Sequence, residues 1–267
     1  MKKATILLLV LALGACKQGT KKEETQETTQ EEITTSPPKF PMEMAKVLEV
    51  HGGLKLWKEQ RTLSFGLPHS DFIETHTVDL WSRKDRVDSD QVSMGFDGKQ
   101  VWLWDSNQNF EGDAGFYHNL MFYFYAMPFV LADNGITYGD ADALVFEGKT
   151  YPGIRISYDY GVGASSKDEY FIHYDPETHQ MAWLGYTVTY GSGKKSENVK
   201  WIRYDNWQPI KGLLLPKSIT WYNYEGGKIL GPRDTLTFEE ITLKSASEPD
   251  SFYEKPDGAE FVEVKKS

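Results

Sequence analysis

Apolar residues between Met42 and Gln60 recur at helix-like spacing, with Met44, Val47 and Leu48 followed by Leu54 and Trp57. Gly52-Gly53 is placed to kink such a helix. The pattern then changes. Thr62–Leu67, Phe72–Trp81, Arg83–Asp88, Val92–Phe96 and Lys99–Trp104 are short, rich in β-branched and aromatic residues, and separated by turn signals such as Asp97-Gly98. The later half repeats the style at Tyr151–Tyr158, Glu169–Tyr174, Met181–Tyr190, Val199–Tyr204, Lys217–Tyr224 and Thr235–Leu243. Asp175-Pro176-Glu177-Thr178 and Glu225-Gly226-Gly227 read as hairpin turns, since proline presets φ and glycine permits φ > 0. Strands joined by short turns predict an antiparallel sheet. Ten or eleven of them must curl towards a barrel or split into layers.

One segment departs from the strand pattern. Leu120–Ala132 reads LMFYFYAMPFVLA, thirteen residues without a charge. It is too short to cross a bilayer and contains Pro128, so it is expected to form a buried helix, kinked or ended near Met127. It either packs as ordinary core against the sheet or plugs the concave face of a curled one. Both faces of Lys99–Trp104 are apolar, because Val101 and Leu103 alternate with Trp102 and Trp104. The same holds around Trp183. A sheet apolar on both faces must be covered twice or must line a cavity.

The amino end adds a different signal. Lys2 and Lys3 precede an apolar run from Ala4 to Leu13 broken only by Thr5, and Leu13-Gly14-Ala15-Cys16 follows. The run is about half the length of a membrane span and reads as a signal-peptide core. Its end resembles the lipobox of bacterial lipoproteins, which implies cleavage of residues 1–15 and acylation of Cys16. Cys16 is the only cysteine, so no disulfide or thiolate metal site competes for it. Residues 16–41, dominated by Lys, Glu, Thr and Gln and closed by Pro37, Pro38 and Pro41, read as a tether, with an r.m.s. reach on the order of 25–30 Å. Residues 42–267 read as one domain. Without residues 1–15 the chain keeps 27 basic and 39 acidic side chains, a formal charge of −12. That balance argues against nucleic acid or anionic lipid as a bulk electrostatic partner, and leaves the lipid on Cys16 to supply membrane attachment.

The order helix, five strands, hydrophobic helical insertion, more strands resembles the outer-membrane lipoprotein carrier (LolA/LolB-like) superfamily. Tyr174-Asp175-Pro176-Glu177-Thr178 before Met181-Ala182-Trp183 is similar to its Asp-Pro-x-Thr hairpin, and Gly212 to Ile219 to the Gly-x-x-x-Pro start of a late strand. Phe238 to Phe252, with Asp250-Ser251-Phe252 before Pro256, resembles its last strand and terminal clip. His51-Gly52-Gly53 with Trp57, and Met127 to Asp133, resemble a family of uncharacterised bacterial lipoproteins placed beside that superfamily. The resemblance implies an α+β fold in which a curved antiparallel sheet, an incomplete β-barrel, is covered on its concave hydrophobic face by helices. A lipidated cysteine sets the chain apart from a soluble periplasmic shuttle, and points to an anchored acceptor or fixed binder of an apolar ligand.

Catalytic and metal-binding patterns are weak. The six histidines form no HxH or HExxH pair, although His173 and His179 flank the Asp175 turn. Gly191-Ser192-Gly193 reads as a polar turn, and Gly161-Val162-Gly163-Ala164 is not a dinucleotide fingerprint. The acids Asp105, Glu111 and Asp113, or Asp168 and Glu169, could supply a hydrolase pair, but only at a set separation. The expectation is therefore a non-enzymatic protein without metal or cofactor, anchored in the cell envelope of a Gram-negative bacterium at the outer membrane, on its periplasmic or surface face. It would bind an acyl chain or a lipoprotein's lipid. Phe122, Phe124, Met127, Phe129 and Leu131 are expected to line or plug the cavity, with Trp102, Trp104 and Trp183 from the sheet. Two rivals stand beside it: a surface glycan binder using aromatic platforms, and a carboxylate-dependent hydrolase.

Overall fold

The helical pattern of residues 42–60 divides into α1 (Met42–Val50) and α2 (Gly53–Lys58) in a computed structural model that describes residues 40–108, 110–158, 168–189 and 198–264. The predicted signal, Cys16, most of the tether and the two glycine loops at 161–164 and 191–193 lie outside the described residues. The break between the helices is made at Gly52, where φ is +104° and an added Cβ would collide with the Gly212 carbonyl oxygen. Only glycine fits both demands.

Strands β1 (Thr62–Pro68), β2 (Ile73–Asp79), β3 (Asp85–Asp88), β4 (Val92–Phe96) and β5 (Val101–Asp105) follow as a meander. The insertion contains α3 (Ala114–Tyr117), α4 (Leu120–Tyr125) and a 3-10 turn, Phe129–Ala132, beyond Pro128. A second meander runs through β6 (Ile136–Phe146), β7 (Lys149–Tyr158), β8 (Glu169–Tyr174), β9 (Met181–Tyr186), β10 (Lys200–Ile210), β11 (Leu213–Glu225) and β12 (Lys228–Thr237). The chain closes with β13 (Glu239–Lys244), α5 (Asp250–Tyr253) and β14 (Glu260–Val262).

The strands form two seven-stranded antiparallel sheets, ordered β13-β1-β2-β3-β4-β5-β14 and β12-β11-β10-β9-β8-β7-β6. A single residue, Phe238, separates β12 from β13. One run of chain therefore borders both sheets, pairing with β11 before Phe238 and with β1 after it. The described residues thus hold fourteen strands, more than the ten or eleven expected, within the expected α+β layout of open, curved antiparallel sheets covered by helices. The surplus has local causes. β6 carries Gly139, Asp140 and Asp142 on an exposed sheet edge, and β12 carries Gly231 and Pro232. Polar residues and proline are tolerated on edge strands and hide them from a reading based on apolar alternation.

The inner faces of both sheets meet on the insertion. Leu63, Phe65 and Leu67 from the first sheet and Ile154, Ile172, Leu184, Ile202 and Leu215 from the second share one core with Met44, Val47, Trp57, Phe122, Phe124, Met127, Phe129 and Leu131. Tyr125 stacks on Phe65 at 4.6 Å and lies 4.5 Å from Phe238, while Phe124 meets Tyr186 at 5.3 Å and Trp221 at 5.7 Å. The short helix thus touches both sheets. Carbonyls towards the ends of α4 and of the 3-10 turn are answered by sheet tyrosines: Tyr204 donates to Phe124 O at 2.8 Å and Tyr138 to Leu131 O at 2.6 Å. Replacing Leu131, which is wholly buried, with alanine is expected to lower stability by about 2–5 kcal/mol, read as a fall in urea midpoint. Val145→Ala, at a side chain 66% exposed, is expected to change it by less than about 0.5 kcal/mol. Equal small effects at both positions would contradict a load on the insertion.

Candidate functional site

A cleft opens between α2, the turn after β2 and the insertion. Its volume is about 400 Å³, and it is bounded by Leu54, Trp57 and Lys58 of α2, by Leu80, Trp81 and Arg83 after β2, and by Phe129, Ala132 and Asp133 of the insertion. The floor is apolar, and Trp57 stacks on Phe129 at 4.7 Å with planes 9° apart. The wall made by residues 79–84 is shaped by Asp79. One carboxylate oxygen of Asp79 accepts from the N–H groups of Trp81 and Ser82 at 3.0 and 2.7 Å, and the other from Arg61 at 2.7 Å. Burial pushes the Asp79 carboxyl up, but these bonds prevail and hold it below the usual carboxylate range. The turn places Arg83 in the left-handed region, φ +62°. It also sets the Arg83 guanidinium against Asp133, with Nη2 at 2.5 and 2.7 Å from the two carboxylate oxygens. Trp81 donates its indole N–H to Lys58 O at 3.1 Å and ties this wall to α2.

A second cluster lies on the inner face of the first sheet, beneath α3. The Tyr117 hydroxyl donates to Glu74 Oε1 at 2.6 Å, and His76 Nε2 lies 2.8 Å from the same oxygen. His118 Nδ1 sits 2.7 Å from Asp85 Oδ2. Burial pushes Glu74 up, yet the His76 and Tyr117 bonds win and lower it; at Asp85 burial wins over His118 and the carboxyl is raised. These contacts fasten α3 to the sheet, and His76 Nδ1 stays buried without a hydrogen-bond partner. Three of the five acids weighed for hydrolysis are held by backbone N–H groups. Asp105 accepts from Phe110 N–H at 2.7 Å, Asp113 caps α3 through Phe116 N–H, and Asp168 accepts from Thr189 N–H at 2.7 Å. His173 and His179 do not face one another: His173 Nδ1 approaches Tyr151 O at 3.3 Å, whereas His179 pairs with Glu43 at 3.4 Å.

Phe122, Phe124, Met127, Phe129 and Leu131 all lie in the trough, and each is buried. Phe129 alone among them borders the cleft. The three tryptophans are a correction. Trp102 and Trp104 point away from the trough, because the inner-facing partners across β3, β4 and β5 are Val87, Met94 and Leu103. Trp102 is fully buried under α5, its indole N–H donating to Tyr253 O at 2.9 Å, and Trp104 lies beside Gly258. Trp183 belongs to an outer-face cluster with Tyr151, Ala182 and Trp201. There the ends of two hairpins fold over it: Phe146 and Tyr222 pack edge-on at 4.8 and 4.9 Å, beyond irregularities in the β6–β7 and β11–β12 pairings. Each sheet thus has a covered patch on its outer face, and alternation of apolar residues could not say which face holds a cavity.

Leu54, Lys58, Leu80, Trp81, Arg83, Ala132 and Asp133 were not singled out by sequence as a site. Two of the quoted motifs nevertheless converge here, since Trp57 and the Met127–Asp133 stretch supply facing walls. His51 explains the rest of its motif. Its Nδ1 lies 3.1 Å from Leu214 O, and its Nε2 accepts from Met181 N–H at 3.1 Å, so the ring bridges β9 and β11 behind the α1–α2 break.

Residues 71–235 match the model of a family described as a family of unknown function, DUF6503. The chain belongs to that family. The matched stretch carries the Leu80–Arg83 and Phe129–Asp133 walls of the cleft, while α2 lies before it. No curated protein matches the chain. Among solved structures it is similar to a LolA superfamily protein from Nitrosomonas europaea, at 11% identity over 78% of this chain and 96% of that one, with a TM-score of 0.46. It is also similar to a DUF1329 family protein from Desulfovibrio piger, at 9% identity over 79% and 95% of the two chains, TM-score 0.46.

His51 and His173 set an acid limit. Burial drives both down to about 4, outweighing bonds to backbone carbonyls. A histidine neutral when folded and titrating near 6.5 when unfolded contributes stability above pH 6.5 that is lost as pH falls towards 4. The loss is on the order of 3 kcal/mol for each ring. Urea midpoints are expected to fall between pH 7 and pH 4.5, and less steeply in His51→Gln, whose amide retains a donor and an acceptor without titrating. An unchanged slope in that variant would contradict the assignment.

Proposed function

We propose that this chain is a lipid-anchored envelope protein that binds one apolar ligand, an acyl chain or a lipoprotein's lipid, at the cleft between α2, the β2–β3 turn and the insertion. The observation that carries the reading is the cleft itself. A space of about 400 Å³ with an apolar floor of Leu54, Trp57, Leu80, Phe129 and Ala132 falls within the volumes usual for small-ligand sites, about 300–1,000 Å³. Among the described residues the insertion's side chains pack into the trough, and in this reading ligand enters at its margin. Binding draws on apolar area, at about 25 cal/mol per Å² removed from water, and calls for no covalent step. The anchor is the acylated Cys16, and the tether lets the domain stand off the outer membrane on whichever face it is exported to. Among the described residues no helix is long and apolar enough to cross a membrane.

A glycan platform at Trp102 is not favoured, because that ring has no exposed face. Trp81, though 62% exposed, is already overlaid by the Arg61 guanidinium at 4.3 Å.

Leu54 is half-buried at the cleft, so Leu54→Trp is expected to fill the space without disturbing the trough. Protein purified without detergent is expected to displace solvent-quenched fluorescent fatty acid into an emissive bound state, and Leu54→Trp to lose about tenfold or more in affinity at unchanged melting temperature. Absence of binding by the native protein, together with no lipid in its native mass spectrum, would overturn the reading.

A further inference from the structure

We infer that the cleft selects a single-chain amphiphile with an anionic head, a carboxylate or phosphate held by Arg83 and Lys58, over a neutral one of the same length; this rests on the acyl-binding reading above. Three charged residues border the cleft, and two are cations: Lys58, Arg83 and Asp133. That excess stands out on a chain whose formal charge is −10. Asp133 engages one guanidinium nitrogen, Nη2. The other, Nη1, is buried and has no hydrogen-bond partner. Arg83 also lies over the Phe122 ring at 5.1 Å, and its backbone is fixed by the Asp79 turn through N–H to Asp79 O at 2.8 Å. The cation is therefore positioned by packing rather than free to follow solvent. Lys58, in the last turn of α2, has no ion-pair or side-chain partner among the described residues.

A carboxylate or phosphate oxygen arriving at the rim meets the exposed part of Arg83, whose side chain keeps 28% of its surface open, together with Lys58, and both cations suit either head. The alkyl chain then lies on Leu54, Trp57 and Phe129, with the head at the polar rim. A neutral alcohol of equal length gains the same apolar burial and leaves the cation as it was. The charge therefore sets selectivity, and the floor sets affinity.

Isothermal titration of the full chain with dodecanoate, dodecyl phosphate and dodecanol, each below its aggregation limit at pH 7.5, tests the inference. Both anions are expected to bind about tenfold tighter than dodecanol, and the larger of the two gains tells which head the rim fits. Arg83→Gln with Lys58→Gln is expected to bring the affinities for both anions to within about twofold of that for dodecanol. Lys58→Gln alone, at an exposed position that cannot unfold the chain, is expected to remove part of the preference. Equal binding of all three by the native protein, or an undiminished preference in the double variant, would overturn the headgroup inference and leave acyl binding standing. No binding of any probe, dodecanol included, would overturn both.

Discussion

Packing of a charge-free segment against the inner faces of two sheets is the interaction on which the rest of this structure depends. Each sheet presents a row of aliphatic and aromatic side chains that water would otherwise cover, and burial of a side chain of that size contributes about 1.5–3 kcal/mol. Phe122, Phe124, Met127, Phe129 and Leu131 meet both rows at once. Without them each sheet loses this shared inner partner, and the strand shared across Phe238 would border two half-cores. α1 and α2 complete the filling through Met44, Val47 and Trp57.

Polar contacts decide where that segment sits. Tyr204 and Tyr138 answer carbonyls that a short helix and a 3-10 turn leave open, Asp85 and Glu74 hold the α3 end through His118 and Tyr117, and Arg83 holds the far end through Asp133. The first four are largely shielded from solvent. The last lies at the rim, with Asp133 partly open to water. The insertion is therefore fastened within the trough and less tightly at its outer end, where the cleft lies. The proposed ligand site follows this gradient, for it lies where packing gives way to a partly hydrated ion pair.

Much of this layout was legible in the chain. The absence of charge in Leu120–Ala132, with Pro128 inside it, announced a broken buried helix, and the structure ends α4 at Tyr125 before a 3-10 turn. Val92–Phe96 and Glu169–Tyr174 end where the residues said they would. Edge strands were less legible, because β6 and β12 carry the acids, glycines and proline that edges tolerate. The site was least legible. Trp102 and Trp183 are core residues of the outer faces, and their hydrophobicity is the same whichever side they cover. Lys58, Arg83 and Asp133 meet only through tertiary folding. Trp57 and Asp133 stood in motifs quoted for resemblance, and it is the register of the Asp79 turn, invisible to periodicity, that brings Arg83 to them.

Native-state hydrogen exchange, read by mass spectrometry on peptides covering residues 120–132 and on β10 and β11, tests most directly whether this segment is structural core or a removable lid. If it is core, its amides exchange only through global unfolding, at the same opening free energy as the central strands. Exchange of residues 120–132 through a separate opening several kcal/mol lower, while β10 and β11 stay protected, would contradict the account and make the trough itself the binding cavity.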